Sequence, residues 1–438
     1  MDTPLSTAGT APDPAEARER DRRHVWHTWS PVTADRAELM LSHGSNYRVW
    51  DVDGREYIDG SSLNSTCGYG HPKVAAAIAD QSRLLQHFDI SGGGHEPLGL
   101  LAERLASYMP ERLAKTVFVN SGSEGIEAAM LIASSYWEHV GKPRSRVVAF
   151  RLGYHGSTLI SRSLSGLPRC RHPFAAPFPI TLVDLPLPPR DLRQPDSLPL
   201  LVAEFTRAFG DDANDWPVAV VVEPFLNVGG GVVLPRGFLR ALRDLCDETG
   251  TLLVLDEIFT GYGRTGRMFA CEHEDVVPDI LVASKGLSGG YIPIAAVTVQ
   301  QHIHDSFQHE AVLGGLRYGH TTSGHATACA AALATLDILD SENLVKRAEL
   351  HGARLLDRFA SWAGIGEVID VRAYGLILVL EMSSTEAAND LITCARANGL
   401  LLRRQGARGE AIMVVPPLTI DDEGVNEIIT RLDRSLAC

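Results

Sequence analysis

Five short apolar runs, separated by stretches of helical periodicity, constrain the fold of this chain more than any other feature. Four of them, TVFVN, RVVAF, VAVVVEP and TLLVLDE, are typical of strands buried in a parallel sheet, and DILVAS is a fifth. The segments SEGIEAAMLIASSYW and RGFLRALRDLCDETG place apolar residues three and four positions apart, as amphipathic helices do. This alternation predicts a doubly wound α/β domain, which we place at residues 72–330.

The flanking segments predict further elements. NYRVWDVDGREYIDG has an Asp-Gly turn between two alternating runs, which predicts a hairpin. ATACAAALATLDIL, after Gly324, predicts a long helix, and the part of the chain that contains VIDVRAYGLILVLEM predicts an α+β domain. Residues 185–217 are rich in proline and then in acid, so we expect a surface excursion there.

Charge and cysteine content exclude several classes of partner. The chain has a formal charge of −14 at pH 7, and such an acidic surface repels nucleic acid and anionic lipid. No apolar stretch approaches the roughly 20 residues that cross a bilayer, and the N-terminal segment lacks an apolar signal core, so we expect a cytoplasmic protein. Seven scattered cysteines without a CxxC pair favour buried free thiols over a metal site or disulfides.

A lysine and an aspartate follow two of the apolar runs. Lys285 lies between DILVAS and GLSGG, and Asp256 ends the run TLLVL. Open α/β sheets bind ligands at the carboxyl ends of their strands. A desolvated lysine favours the neutral amine that attacks an aldehyde, and a carboxylate keeps a pyridine nitrogen protonated. Together the two residues fit pyridoxal phosphate chemistry; each alone fits a solvated strand end equally well.

Two further segments fit a phosphate site. The tripeptide Ser-Gly-Ser at 121–123 stands between a strand and a helix, where backbone N–H groups and the helix dipole attract an anion. Thr321 and Thr322 precede the alanine-rich helix. Simple helix capping is the alternative interpretation of both segments.

An aromatic residue follows the strand RVVAF. Tyr154 and His155 stand in RLGYHGST, where the tyrosine ring can lie flat on a planar cofactor. Core packing is the alternative interpretation. In HVWHTWSP, Trp26 and Trp29 are candidates for the lining of a substrate entrance, with ordinary packing as the alternative.

The order and spacing of six segments resemble one family. NSGSEGIEAAM, GYHGST, VVEPF, LDEIFTGYGRTGRMFA, SKGLSGGYIPIAAV and GHTTSGHATACAAALA are similar to the class III (omega-type) aminotransferases of pyridoxal-phosphate fold type I. The resemblance covers roughly residues 35–435. It implies a large doubly wound, mostly parallel-sheet domain and a smaller α+β domain built from both chain ends. We place a disordered tail at 1–24, the two parts of the small domain at 25–71 and 331–438, and the large domain between them.

The family also implies a reaction. We expect a pyridoxal 5'-phosphate-dependent aminotransferase that moves an amino group between an amine or amino acid and an aldehyde or keto acid, in ping-pong fashion. A homodimer with shared active sites is implied as well. Racemases, aminomutases and decarboxylases on the same scaffold share the cofactor contacts and are the alternative.

The resemblance implies roles for residues around the cofactor ring. Lys285 would bind the cofactor covalently, and Asp256 would pair with the pyridine nitrogen. Tyr154 and Ile258 would cover the two faces of the ring. Glu223 would stand beside the cofactor and face the substrate.

The phosphate contacts are implied in the same way. Ser121, Gly122 and Ser123 would surround the phosphate, with Gly122 and Ser123 contributing backbone groups. Thr321 of the neighbouring subunit would complete the site, and His155 would lie near the cofactor.

One departure from the family pattern concerns the substrate. Relatives that bind an α-carboxylate often have arginine shortly before the C-terminal proline pair, where this chain has Met413. Arg403, Arg404 and Arg408 lie upstream and are candidates for a carboxylate contact, with surface arginines as the alternative. The amine donor and the acceptor stay open.

Overall fold

Twelve α-helices and seventeen β-strands make up the described part of the chain, residues 13–110 and 113–438 of the computed structural model. In chain order they are α1 (Pro14–His24), β1 (Leu41–Ser45), β2 (Arg48–Asp51), β3 (Glu56–Asp59), α2 (Pro72–Leu84), α3 (Glu96–Tyr108), β4 (Leu113–Val119), α4 (Gly122–His139), β5 (Val147–Phe150), α5 (Leu159–Ser163), β6 (Ile180–Val183), α6 (Ser197–Phe209), β7 (Ala219–Val222), β8 (Phe225–Leu226), β9 (Val232–Val233), α7 (Phe238–Thr249), β10 (Leu252–Asp256), β11 (Ile280–Ala283), β12 (Ala295–Gln300), α8 (Gln301–Ser306), α9 (Ala326–Ser341), α10 (Leu344–Phe359), β13 (Val368–Ala373), β14 (Leu378–Met382), α11 (Thr385–Ala397), β15 (Leu400–Leu401), β16 (Arg403–Gln405), β17 (Ala411–Val414) and α12 (Asp422–Leu436).

A seven-stranded sheet organises the large domain, with the strand order β4-β12-β11-β10-β7-β5-β6. The neighbours from β11 to β6 pair in parallel, while β12 runs antiparallel to both β11 and β4. All five predicted strands are confirmed, as β4, β5, β7, β10 and β11. The apolar runs did not reveal β6 and β12.

Both faces of this sheet are covered, which explains why its strands are apolar without alternation. In β10, Val254 packs on one side in a cluster with Ile126 of α4. Its neighbours Leu253 and Leu255 pack on the other side with Phe238 of α7. All of these side chains are buried. A strand with helices on both faces needs an apolar residue at every position.

The second domain joins the two ends of the chain. The predicted hairpin is confirmed, because β2 and β3 pair antiparallel. The C-terminal β15 then adds to β3 in parallel, with Leu400 opposite Ile58. A further antiparallel sheet, in the order β13-β14-β17-β16, packs with α10 and α11. The predicted fold class is therefore confirmed.

Two sequence predictions are wrong here. Residues 1–12 of the predicted tail lie outside the described residues, but residues 14–24 form the exposed helix α1, capped by Asp13 and ion-paired from Arg18 to Asp53. The proline-rich excursion contains α6, whose Leu201 and Phe205 are buried at a four-residue spacing. The domain boundaries stay predictions; the one between 330 and 331 falls inside the unbroken helix α9.

The structure also bears on the cysteines and on the apolar segments of the chain. All seven cysteines are free thiols and five of them are buried. Among the described helices, none is long and apolar enough to span a lipid bilayer.

Candidate active site

A cleft of about 910 Å³ opens where the parallel strands of the large sheet end. The carboxyl end of β10 contributes Asp256, and the turn after β11 contributes Lys285. Strand β7 is the other neighbour of β10, and Glu223 directly follows it. The three predicted ionisable residues therefore meet at one edge of the sheet, because neighbouring parallel strands end side by side.

Lys285 differs from every other lysine of the chain. The sequence has five lysines, and Lys73, Lys115, Lys142 and Lys346 are exposed, whereas Lys285 is half-buried in the cleft wall. Burial lowers the pKa of its amine, while the charges of nearby carboxylates oppose that shift. The amine therefore loses its proton more readily than a surface lysine does.

The backbone at Lys285 is strained. Its φ is 27°, a region that residues with a Cβ rarely adopt. Such a conformation costs about 1–3 kcal/mol and is typical of functional positions. The residue opens a short 3₁₀ turn, Lys285–Leu287, immediately after Ser284. The turn directs the lysine into the cleft, where Nζ lies 5.7 Å from the ring centroid of Phe259.

Asp256 and His155 form a buried ion pair in the cleft. His155 Nδ1 donates to Asp256 Oδ2 at 2.7 Å, and their side chains are nearly inaccessible to solvent. Burial alone would lower the pKa of His155, but the hydrogen bond and the charge of Asp256 outweigh it and raise the pKa. The second carboxylate oxygen of Asp256 accepts from the backbone N of Ile258 at 3.1 Å. These hydrogen bonds hold the carboxylate of Asp256 at a fixed position.

Glu223 is a second buried carboxyl in the cleft wall, 5% exposed. Its Oε1 accepts from the backbone N of Tyr154 at 2.9 Å, and its Oε2 from that of Asn227 at 3.3 Å. Burial raises its pKa to about 7; the neighbouring His155 opposes the shift and Asp256 adds to it. Near neutral pH this carboxyl therefore takes up or releases a proton easily.

Tyr154 and Ile258 line the same cleft as Lys285. Ile258 lies directly over Gly122: a Cβ at that glycine would come within 2.7 Å of the Cδ1 of Ile258. Gly156 is equally constrained, since a Cβ there would lie 2.5 Å from the Oγ of Ser123. Only glycine permits these close approaches.

The predicted phosphate residues divide into two groups. Gly122 and Ser123 line the cleft, and the Oγ of Ser123 accepts from the backbone N of Ser157 at 3.0 Å. Ser121 is not part of the lining; its Oγ caps α4 by accepting from the backbone N of Glu124 at 3.2 Å. The side chain of Ser121 therefore acts as a helix cap, which was the alternative interpretation of this segment.

The threonines before α9 are not brought to this cleft within one chain. Thr321 is exposed and does not line it. Thr322 is also exposed, and its Oγ1 donates to Asn120 Oδ1 at 2.8 Å. The structure thus places this segment beside the start of α4.

All three candidate arginines line the cleft. Arg403 also lines the adjoining pocket, next to Asp59. Within the described residues its guanidinium forms neither a hydrogen bond nor an ion pair, whereas Arg404 donates to Asn389 Oδ1. Met413 is fully buried and belongs to an apolar cluster, so it cannot take the place of a carboxylate-binding arginine.

Sequence reasoning missed some of the lining. Of the two tryptophans that were candidates for the lining, Trp29 lines the cleft with its ring at 6.0 Å from that of Tyr154, whereas Trp26 is 85% exposed and does not line it. Arg36 and Arg169, which were missed, also line the cleft; they lie in the short 3₁₀ turns Arg36–Glu38 and Pro168–Cys170, which have no recognisable sequence pattern. Phe259 had a signal that was available, because it stands three residues after Asp256.

Comparisons with known proteins point to one family. The family model for aminotransferase class-III matches residues 30–436. An adenosylmethionine-8-amino-7-oxononanoate aminotransferase of Nitratidesulfovibrio vulgaris is 34% identical, over 95% of this chain and 80% of the relative. A 5-aminovalerate aminotransferase of Pseudomonas aeruginosa is 35% identical, over 93% of this chain and 92% of the relative.

Solved structures show the same similarity. An (S)-enantioselective omega-transaminase from Thermomicrobium roseum has a TM-score of 0.89 at 30% identity, covering 97% of this chain and 98% of that one. An amine transaminase from an uncultivated Pseudomonas species, in its PLP-bound form, has a TM-score of 0.85 at 31% identity, covering 94% and 98%.

Proposed function

We propose residue roles, a carboxylate contact and an assembly for this chain, which belongs to the class III aminotransferase family. It is a pyridoxal-phosphate-dependent aminotransferase that moves an amino group between an amine or amino acid donor and an aldehyde or keto acid acceptor. The observation that supports the site most strongly is the meeting of Lys285 and Asp256 in one cleft.

The residues of the cleft fit the cofactor. Lys285 offers a desolvated amine for its aldehyde, and the carboxylate of Asp256 offers an anionic partner for its ring nitrogen. The glycine at 122, over which Ile258 lies without room for a Cβ, gives the backbone access to a phosphate. Tyr154 supplies an aromatic surface within the same cleft. When bound, pyridoxal phosphate accepts the electrons that a broken C–H bond of the substrate leaves behind.

Lys285 carries out the proton transfer. The Nζ accepts a proton from the substrate carbon as a general base and returns one as a general acid. The lowered pKa of this amine favours both steps, because the amine loses its proton more readily than that of a surface lysine does. The nearby charges of Asp256 and Glu223 oppose that shift.

The surrounding side chains hold the charges in position. His155 donates to Asp256 and thereby fixes the orientation of the carboxylate. Glu223 holds the backbone of Tyr154 through an accepted hydrogen bond, which fixes the tyrosine in the cleft wall. Because its pKa is about 7, the carboxyl of Glu223 is present in both protonation states near neutral pH. It faces the substrate in either state.

Nitrogen transfer tests the reaction. Purified protein loaded with pyridoxal phosphate is incubated with ¹⁵N-labelled amines and an unlabelled carbonyl acceptor, and the products are analysed by mass spectrometry. We expect ¹⁵N in the new amine and none with Lys285→Ala. Loss of chirality or of carbon dioxide from the donor without ¹⁵N transfer would instead indicate racemisation or decarboxylation on the same scaffold.

Arg403 is our candidate for a substrate carboxylate. It lines the cleft together with Lys285, and its guanidinium has no partner within the described residues. An unpaired guanidinium in a cleft matches the planar, bidentate geometry of a carboxylate. The buried Met413 leaves this role to another residue.

A homodimer with shared sites completes the proposal. Thr321 is exposed at the surface and outside the cleft of its own chain, which leaves it available to the site of a second copy. Leu84, Val312 and Leu313 are 82%, 69% and 71% exposed, so these apolar side chains are available for contact with a second copy.

Hybrid dimers test the sharing. Differently tagged Lys285→Ala and Thr321→Ala chains are mixed, and the doubly tagged dimer is purified. If Thr321 serves the other copy's site, each hybrid dimer has one site with both residues intact and therefore wild-type cofactor affinity. If Thr321 serves its own chain, no intact site exists in the hybrid and its affinity stays low.

We also propose a cytoplasmic location, supported by seven free cysteines, which are typical of a reducing compartment. Cell fractionation with an antibody against the native protein tests it; recovery from an oxidising compartment would contradict it.

A further inference from the structure

The cleft has an unusual charge distribution. Five arginines line it, namely Arg36, Arg169, Arg403, Arg404 and Arg408. The acidic residues of the lining are Glu223 and Asp256, which belong to the site around Lys285. This concentration of positive charge occurs in a chain whose formal charge is −14. The cleft therefore attracts anions although the molecule as a whole repels them.

None of the five arginines forms an ion pair within the described residues, whereas nineteen other arginines do. They share this property with some other described arginines, such as Arg264, which donates to backbone carbonyls. Arg36 donates to Ser30 Oγ at 2.7 Å, and Arg169 donates to the carbonyl of Gly406. Because these acceptors are neutral, the charges of Arg36 and Arg169 have no anionic hydrogen-bond partner within the described residues, and Arg403 is near Asp59 without pairing with it.

Two of the arginines, Arg403 and Arg169, are close enough to affect one another. Burial lowers the pKa of Arg403; the nearby Tyr154 and Asp59 oppose that shift, and the charge of Arg169 adds to it. Arg408 lies in the loop that also contains Glu410. The carboxylate of Glu410 accepts from the backbone N of Arg408 at 3.0 Å, but Glu410 does not line the cleft. Mutual repulsion of this kind is relieved by an anion that binds between the guanidinium groups.

Apolar side chains share the cleft with the arginines. Phe259 lies beside the Nζ of Lys285, and Leu63, Ile392 and Leu402 are part of the lining. The walls of the cleft therefore match a ligand with three parts. An amine would lie next to Lys285, a hydrocarbon chain along these apolar side chains, and anionic groups next to the arginines.

We propose that the amino-group donor or acceptor of this enzyme carries two negative charges at the end away from its reacting carbon. One carboxylate binds Arg403, and the second anionic group, a carboxylate or a phosphate, binds Arg404 and Arg408. The inference rests on the proposed function, since it takes Lys285 as the reacting end of the site. It also disfavours donors that carry a net positive charge.

Binding of anions without an amine tests the subsite directly. Affinities of the holoenzyme for pentanoate, propylmalonate and propyl phosphate are measured by calorimetry at pH 8; the last two replace one negative charge by two on a chain of similar length. We expect both dianions, or the one whose head group fits, to bind at least about tenfold more tightly than pentanoate. In Arg404→Gln/Arg408→Gln this preference falls to about twofold.

A matched control is available in Arg236, which is exposed and outside the cleft. Arg236→Gln removes the same kind of charge and keeps the preference for dianions. Equal affinity of the wild type for all three ligands, or the same loss in Arg236→Gln, would overturn the proposal.

Kinetics separate this inference from the proposed function. The ratio of kcat/KM for (3-aminopropyl)malonate to that for 5-aminopentanoate is expected to fall about tenfold in the double variant. If no amine transfers ¹⁵N, the proposed function fails whatever the anions do. If amines react but the second carboxylate gives no advantage, only the inference about the substrate fails.

Discussion

His155 Nδ1 lies 2.7 Å from Asp256 Oδ2, and the two residues are 1% and 3% exposed. The Nε2 of His155 has no hydrogen-bond partner within the described residues. The histidine therefore acts through Asp256, by fixing its orientation and sharing its charge. This pair links the end of β10 to the loop after β5, and it fixes the position of the carboxylate that we propose as the partner of the cofactor's ring nitrogen.

Replacing Asp256 by asparagine removes the charge while keeping the size of the side chain. We expect kcat to fall about 100-fold or more, because the anionic partner of the cofactor ring is lost. Cofactor titration should show weakened but measurable binding. Asp357→Asn, at an exposed position without an ion pair, is the control. Wild-type turnover in Asp256→Asn would contradict the assigned role.

The raised pKa of Glu223 predicts a pH-dependent stability of the cofactor-free protein. The folded state holds this proton more tightly than the unfolded state, so the contribution to stability is present below pH 4.5 and is lost as the pH rises through about 7. The loss is about 3 kcal/mol at most. Glu223→Gln lacks this titration.

Thermal unfolding of both cofactor-free proteins measures the effect. The Tm of Glu223→Gln minus that of the wild type should be a few degrees larger at pH 8 than at pH 5. A Tm difference that is the same at both values would show that the carboxyl titrates normally.

Gly122→Ala should weaken cofactor binding. The new Cβ would come within 2.7 Å of Ile258 Cδ1, so the isoleucine must move from its place in the cleft. Overpacking of this kind costs about 1–3 kcal/mol, which corresponds to a roughly tenfold or larger rise in the dissociation constant. Gly99→Ala, in α3 with no atom within 4 Å of its Cβ, should bind the cofactor normally. Equal affinities in the two variants would contradict the close-approach argument.

Arg403→Gln tests the carboxylate contact. We expect KM for 5-aminopentanoate to rise about tenfold or more, because a charge-assisted hydrogen bond is lost, with a smaller change for butylamine. Arg236→Gln serves as the charge control. If both amines lose the same factor in Arg403→Gln, the arginine has a structural role only.

Much of the fold could be predicted because the sheet is buried on both faces. Continuous apolar runs such as Ala219–Val222 are a direct consequence of that burial. Strand β12 was missed because two of its six residues are alanines and it follows a glycine-rich turn, which gives no strand signal. Helix α6 was missed because nearby prolines and acids concealed the apolar spacing of Leu201, Phe205 and Phe209.

The site was predictable where chemistry and strand ends coincide, as at Lys285 and Asp256. The sequence did not reveal that His155 reaches Asp256, since 101 residues separate them and only the sheet order brings them together. The arginines of the cleft come from three distant parts of the chain, so their convergence is a property of the tertiary fold. The phosphate role of Thr321 stays a prediction.

We propose that one lysine, Lys285, binds the cofactor covalently. Reduction of the loaded protein with sodium borohydride fixes that bond, and peptide mapping by mass spectrometry then locates it among the five lysines. We predict the phosphopyridoxyl group on Lys285 alone. Its appearance on Lys73, Lys115, Lys142 or Lys346, or on no lysine at all, would contradict the account.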